Sequence, residues 1–237
     1  MDLARAVEFI PKDPEWLPKL AVVAAIGFFA VITTPLLIGL VGWAVLLGYQ
    51  VAILRNVRDR QPYPLPRWDD LGGFLNRGGK VLTAFIIYQL PNLFLGLCSA
   101  FIVPTFAQSD LFGVVASFGM ICCLLPLLLV YNLFTAPMFA LGMARFAEED
   151  NIVVFFQFAD LFATVRRNLQ PTIYWIVLNV VLVFGVGFIA AIPCIGWCLA
   201  PAVSIPIGGH LNAQYADSLE TPLAGRPAAT YPPARRR

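Results

Sequence analysis

Residues 20–54 read LAVVAAIGFFAVITTPLLIGLVGWAVLLGYQVAIL, a stretch without Asp, Glu, Lys or Arg. A bilayer core about 30 Å thick is crossed by ~20 apolar helical residues. As one helix this stretch would run ~52 Å at 1.5 Å per residue, well beyond that core. Thr33-Thr34-Pro35 lies at its middle and Gly39 follows. The preferred reading is therefore two short spans, about 17–34 and 36–56, joined by a proline turn. A single helix kinked at Pro35 is the alternative.

Three more stretches, 81–109, 111–144 and 168–216, also lack charge, and the four together hold 147 of the 237 residues. Hydrophobic residues make up 59% and charged residues 13%, against roughly 45–50% and 25% in soluble domains. A soluble chain of this size must still cover itself with polar surface, so the excess places the chain in a membrane. The fold expected is all-α, a polytopic transmembrane bundle over residues 17–216. Spans follow at about 80–104, 112–144, 171–192 and 195–215. The 112–144 span is a single kinked crossing containing Pro126 and Pro137, and Pro193 supplies the turn between the last two.

The charges between the gaps set the orientation. Lys and Arg number three in 1–19, six in 55–80, none in 105–110, three in 145–167 and four in 217–237. Cytoplasmic loops carry the excess of Lys and Arg. Six spans put every Arg-bearing block inside, with residues 1–16 as a cytoplasmic segment and 217–237 as a disordered cytoplasmic tail. Five would leave 1–19 outside with three basic groups. The expected location is the inner membrane, both termini cytoplasmic. The first block mixes acids with bases and precedes a run too long for a signal core, so the first span is retained.

Sliding the chain against itself by 90 residues aligns Arg55 with Arg145, Asp59 with Glu149, Asp70 with Asp160, Leu71 with Leu161 and Arg77 with Arg167. Each unit reads as span, Arg-terminated end, amphipathic segment, span, which suggests a weak internal two-fold repeat. In the amphipathic segment 67–79, Trp68, Leu71, Phe74 and Leu75 share a helical face. In 152–168, Gln157, Asp160, Thr164, Arg167 and Asn168 form a polar stripe. Such segments either lie in the headgroup plane or cap the cytoplasmic ends of the spans.

Gly48-Tyr49, Arg55, Leu65-Pro66-Arg67-Trp68-Asp69-Asp70, Gly79-Lys80 and Tyr88-Gln89-Leu90-Pro91 form a recognisable series. It resembles the membrane family called domain of unknown function 4013, with its GY-x-x-x-x-x-R helix end, LPxWDD-like loop, Gly-Lys pair and Tyr-x-x-Pro. Met143-Ala144-Arg145 and the run from Gly208 to Tyr215 extend the similarity, which covers about 45–215. Arg67 stands where family members often carry an acid, and Pro62-Tyr63-Pro64 makes the loop Pro-rich. The resemblance implies a six-span bacterial or archaeal membrane protein and no particular activity.

Chemistry-bearing residues are few. Arg55, Arg58, Arg60, Trp68, Arg77 and Lys80 are the candidate contacts for lipid headgroups or other anions, since basic groups gain from an anionic leaflet and Trp favours the interface. Asp69 and Asp70 suit a helix amino terminus better than a metal, because adjacent helical residues diverge. Cys98, Cys122, Cys123, Cys194 and Cys198 read as buried thiols, and Cys194 with Cys198 lacks the further ligands of a metal site. No phosphate loop, nucleophile elbow or HExxH occurs, and His210 is the only histidine. A net charge of +2 does not suggest nucleic acid.

The expected protein is thus non-enzymatic, without cofactor or metal. Its partners are membrane lipids, with a membrane-protein partner or a homo-oligomer possible. One rival reading is a solute transporter or channel component with a path between the two pseudo-repeats, lined by amides such as Gln89, Asn132 or Asn179. Another is a lipid-modifying enzyme using the 55–80 loop.

Overall fold

The computed structural model describes residues 1–107 and 111–219, and within them the chain is helical with no β-strand. The helices are α1 (Leu3–Lys12), α2 (Trp16–Thr33), α3 (Gly39–Arg58), α4 (Leu71–Ala107), α5 (Leu111–Glu149), α6 (Phe158–Arg167), α7 (Leu169–Ala190) and α8 (Ile195–Leu219). Residues Asp110 and 220–237, which include most of the expected tail, lie outside the described residues.

Residues 20–54 form a hairpin. The Thr33 and Thr34 hydroxyls donate to the carbonyls of Phe29 and Ala30, each at 2.6 Å, competing with continuation of the helix. A 3-10 turn then covers Thr34–Leu36, and Leu37 takes a left-handed conformation with φ 63°. Gly39 completes the reversal, because a Cβ there would lie 2.2 Å from the Ala30 carbonyl oxygen. Trp43 clasps the turn by donating its Nε1–H to Thr34 Oγ1 at 3.0 Å.

Among the described residues, five segments are long and apolar enough to cross a membrane: Trp16–Leu36, Gly39–Arg58, Leu71–Cys98, Cys122–Glu149 and Leu169–Ala190. Their outward faces carry large apolar side chains such as Phe29, Phe94, Phe184 and Phe188, the last 78% exposed. A soluble protein does not expose apolar surface on this scale. The chain is a multi-pass membrane protein.

α8 is as long as these helices but less apolar, and the reason is its position. It packs against α1, α2, α3, α5 and α7 and is buried along more than half its length. Gly208 and Gly209 face Gln50 of α3, and Gly27 of α2 faces Pro201. A helix surrounded by protein needs small residues for close approach more than it needs an oily surface.

Three expectations are corrected. Residues 67–79 are not a separate amphipathic segment: 67–70 belong to a loop and Leu71 starts α4, which continues to Ala107. Gly78 faces the α3 backbone and Gly79 meets open space, and the helix runs through both. The 152–168 segment is divided into a 3-10 turn, Ile152–Phe156, and α6. None of the five cysteines is buried: Cys122, Cys123 and Cys194 are exposed and Cys98 and Cys198 partly so. The first three of these lie on outward surfaces, where a small apolar thiol suits lipid as well as core.

Candidate functional site: the charged end of the bundle

The charged blocks separated in sequence meet at one end of the bundle. Arg58, at the end of α3, lies 2.7 Å from a carboxylate oxygen of Glu148 in α5 and 3.3 Å from one of Asp217 in α8. Three helix ends are joined there. Lys80 of α4 donates to Asp150, just past α5, at 2.9 Å. The start of α7 meets the end of α8 through the hydroxyls of Thr172 and Tyr215, 2.9 Å apart.

The loop between α3 and α4 is pinned to this end from several sides. Lys19, near the start of α2, is almost fully buried and lies 2.7 Å from Asp13, which is 1% exposed. Its ammonium also donates to the Leu65 carbonyl at 3.0 Å. A buried ion pair endures only with such added hydrogen bonds. Trp68 stacks on Tyr49 at 4.4 Å between centroids and donates its Nε1–H to the Lys19 carbonyl. The Tyr49 hydroxyl donates to the Pro66 carbonyl at 3.3 Å, and Asn56 to that of Pro64 at 2.9 Å.

Asp70 caps α4. One of its oxygens accepts from the Gly73 N–H at 2.8 Å and the other from Arg77 at 3.3 Å, satisfying a donor of the first turn. Asp69 is exposed. Gly48 lets α3 and α4 touch: a Cβ there would sit 1.9 Å from the Phe74 carbonyl oxygen. Tyr88 donates to the Phe155 carbonyl at 2.6 Å and ties α4 to the turn after α5. Pro91 lies within α4, and Gly79 contacts nothing that a Cβ would reach.

The family model described as "Protein of unknown function (DUF4013)" matches residues 31–195. The chain belongs to that family. The matched region begins near the end of α2 and closes at the start of α8, so the run from Gly208 to Tyr215 falls outside it, contrary to the expected extent of 45–215. No curated protein and no solved structure matches the chain.

In this DUF4013 chain the charged end also holds a cleft of about 340 Å³ between α3, α4 and α5. Arg55, Asn76 and Arg77 line it together with Asp70, Glu148 and Asp150. Each of these acids is held by a cation, Asp70 by Arg77, Glu148 by Arg58 and Asp150 by Lys80. Arg55 is exposed and has no ion pair among the described residues. Of the candidate headgroup contacts, Arg55 and Arg77 line the cleft, and Arg58 and Lys80 neutralise its acids. Trp68 is packed on Tyr49, and Arg60, exposed with φ 53°, is not among the lining residues.

The amides at membrane depth are paired. Asn92 and Asn132 exchange hydrogen bonds at 3.0 Å in both directions, and Asn92 also donates to Gln89. Asn179 donates to the Trp175 carbonyl at 3.0 Å, and Trp175 to Asn212 at 3.1 Å. His210 is stacked on Phe9 and hydrogen-bonded to Gln214. The Asn92–Asn132, Trp175–Asn212 and Phe9–His210 contacts join helices, and the Asn179 bond stays within α7.

Sequence reasoning missed α1 and the Asp13–Lys19 pair. The signal for α1 was present, since Asp2 precedes Leu3, Ala6, Phe9 and Ile10 at helical spacing. Asp2 Oδ1 accepts from the Ala4 N–H at 2.9 Å, and Ala6 and Phe9 are buried.

Proposed function

We propose that this DUF4013 chain is a six-span, non-enzymatic inner-membrane protein with both termini cytoplasmic, whose charged end engages the lipid headgroups of the inner leaflet. The observation that carries the reading is the Arg58–Glu148–Asp217 junction, which gathers the ends of α3, α5 and α8 on one side. Among the described residues, the blocks rich in Arg and Lys, 1–19, 55–80 and 145–167, lie at that end, as the positive-inside rule requires of a cytoplasmic face. α8 counts as the sixth span because it retraces α7, and its modest hydropathy follows from its burial. Exposed Arg60, Arg166 and Arg167 have no ion pair among the described residues, and each such group gains about 1 kcal/mol beside an anionic surface.

Pairing of the membrane-depth amides with one another and with backbone carbonyls weighs against a transport path lined by Gln89, Asn132 or Asn179. Cysteine accessibility tests the reading in a background lacking the native thiols. Ala4→Cys, Pro62→Cys and Thr230→Cys are expected to resist an impermeant maleimide in intact cells, whereas Leu36→Cys reacts. External labelling of Pro62→Cys would overturn the topology. Equal binding to anionic and zwitterionic liposomes would overturn the headgroup role.

A further inference from the structure

The two sequence units treat their equivalent arginines differently. Arg145 is paired with Asp160, ninety residues beyond Asp70. Arg55, ninety residues before Arg145, is not paired with Asp70. The reason lies at the start of α4. Asp70 caps that helix with one oxygen and holds Arg77 with the other. Asp160 sits in the first turn of α6 and makes no cap bond, so its carboxylate is available to Arg145. Where the second unit supplies its own carboxylate, the first leaves an arginine facing a cleft.

The cleft suits an anion on local grounds as well. Asp70, Glu148 and Asp150 each have a cation against them, Arg77, Arg58 and Lys80 respectively, and Arg58 is shared with Asp217. Arg55 is then the lining charge without a counter-ion. Asn76, also exposed, makes no side-chain hydrogen bond among the described residues, so its amide is a second available donor. The space of about 340 Å³ equals the share of roughly eleven liquid waters, enough for a tetrahedral oxyanion and part of its hydration. A guanidinium presents a fork that matches two oxygens of a phosphate, the geometry in which arginine binds most strongly.

We infer that this cleft is a phosphate-binding site, with Arg55 and the Asn76 amide as its donors. The phosphate comes from an anionic lipid headgroup at the cytoplasmic surface or is free in solution. The inference rests on the headgroup-facing orientation proposed above.

Native mass spectrometry of the full chain released from neutral detergent tests it, with phosphatidylglycerol, phosphatidylcholine and inorganic phosphate as probes. The variants are Arg55→Gln, Asn76→Ala and a control triple, Arg60→Gln/Arg166→Gln/Arg167→Gln. Arg55 and Asn76 are exposed, and equal melting temperatures would show that their variants fold. Wild type is expected to retain phosphatidylglycerol over phosphatidylcholine, with about tenfold weaker retention in Arg55→Gln and a smaller loss in Asn76→Ala. Displacement of the lipid by inorganic phosphate would identify free phosphate as the occupant, and lipid retained against an excess of phosphate would identify the headgroup. Undiminished retention in Arg55→Gln together with loss in the control triple would overturn the cleft and leave the general headgroup role standing. Indifference to lipid charge in every variant would overturn both.

Discussion

Gly78 of α4 approaches the carbonyl of Ala44 in α3 so closely that a Cβ would fall 1.6 Å from its oxygen. Gly48 makes the reciprocal approach to Phe74 from α3. The two contacts hold the backbones of α3 and α4 together at the charged end, where the loop between them is folded back. Gly78→Ala must push the helices apart and is expected to destabilise the fold by about 1–3 kcal/mol, the usual range for overpacking. Gly79→Ala is the matched control, because nothing lies within 4 Å of the added Cβ. It should be neutral or stabilise by up to ~1 kcal/mol through helix propensity. Thermal unfolding in detergent, followed by circular dichroism, separates the two. Equal melting temperatures would show that the close approach has no energetic weight.

The Asp13–Lys19 pair yields a second prediction. Lys19 is 8% and Asp13 1% exposed, so removing either charge strands the other in a poorly solvated position. Lys19→Met alone is expected to cost about 3–5 kcal/mol and to loosen the Leu65 end of the loop. The double variant Asp13→Leu/Lys19→Met, which leaves no buried charge, should recover much of that loss. Denaturant unfolding of the two single and one double variants forms the cycle. Additive losses would mean that the charges are not coupled.

These two sites mark what was and was not legible in the sequence. The uncharged gaps, Pro35 and Pro193 led to the helices and their hairpin turns, because the length of a span and the chemistry of a turn are local properties. Continuity of α4 through Gly72, Gly73, Gly78 and Gly79 was not local, since Gly78 is stabilised by a neighbour distant in sequence. Lys19 counted toward the sign of a loop, and only the fold places it against Asp13 and the Leu65 carbonyl. Arg55 could be named as basic, but its lack of a counter-ion follows from how Asp70, Glu148 and Asp150 choose their partners.

The Asn92–Asn132 exchange joins α4 and α5 at membrane depth. Interhelical polar contacts in bilayers average about 0.6 kcal/mol and reach about 2. A double-mutant cycle with Asn92→Ala and Asn132→Ala is expected to return a coupling energy in that range. Steric trapping in bicelles provides the measurement. Zero coupling would restore these amides as candidates for lining a solute path.

Asp160→Asn tests the difference between Arg55 and Arg145 directly. Arg145 is only 19% exposed at its side chain, while Asp160 is 63% exposed, so the pair is partly screened and its loss should cost no more than about 1 kcal/mol. The substitution leaves Arg145 without its carboxylate, the condition in which Arg55 already stands. The number of phosphatidylglycerol molecules retained per chain should therefore rise from one toward two. Asp160→Asn/Arg145→Gln should return it to one, because the unpaired guanidinium is then gone. Counting bound lipids by native mass spectrometry reads both outcomes. A stoichiometry unchanged by Asp160→Asn, in protein with an unchanged melting temperature, would mean that an unpaired arginine at this position does not suffice to hold a phosphate.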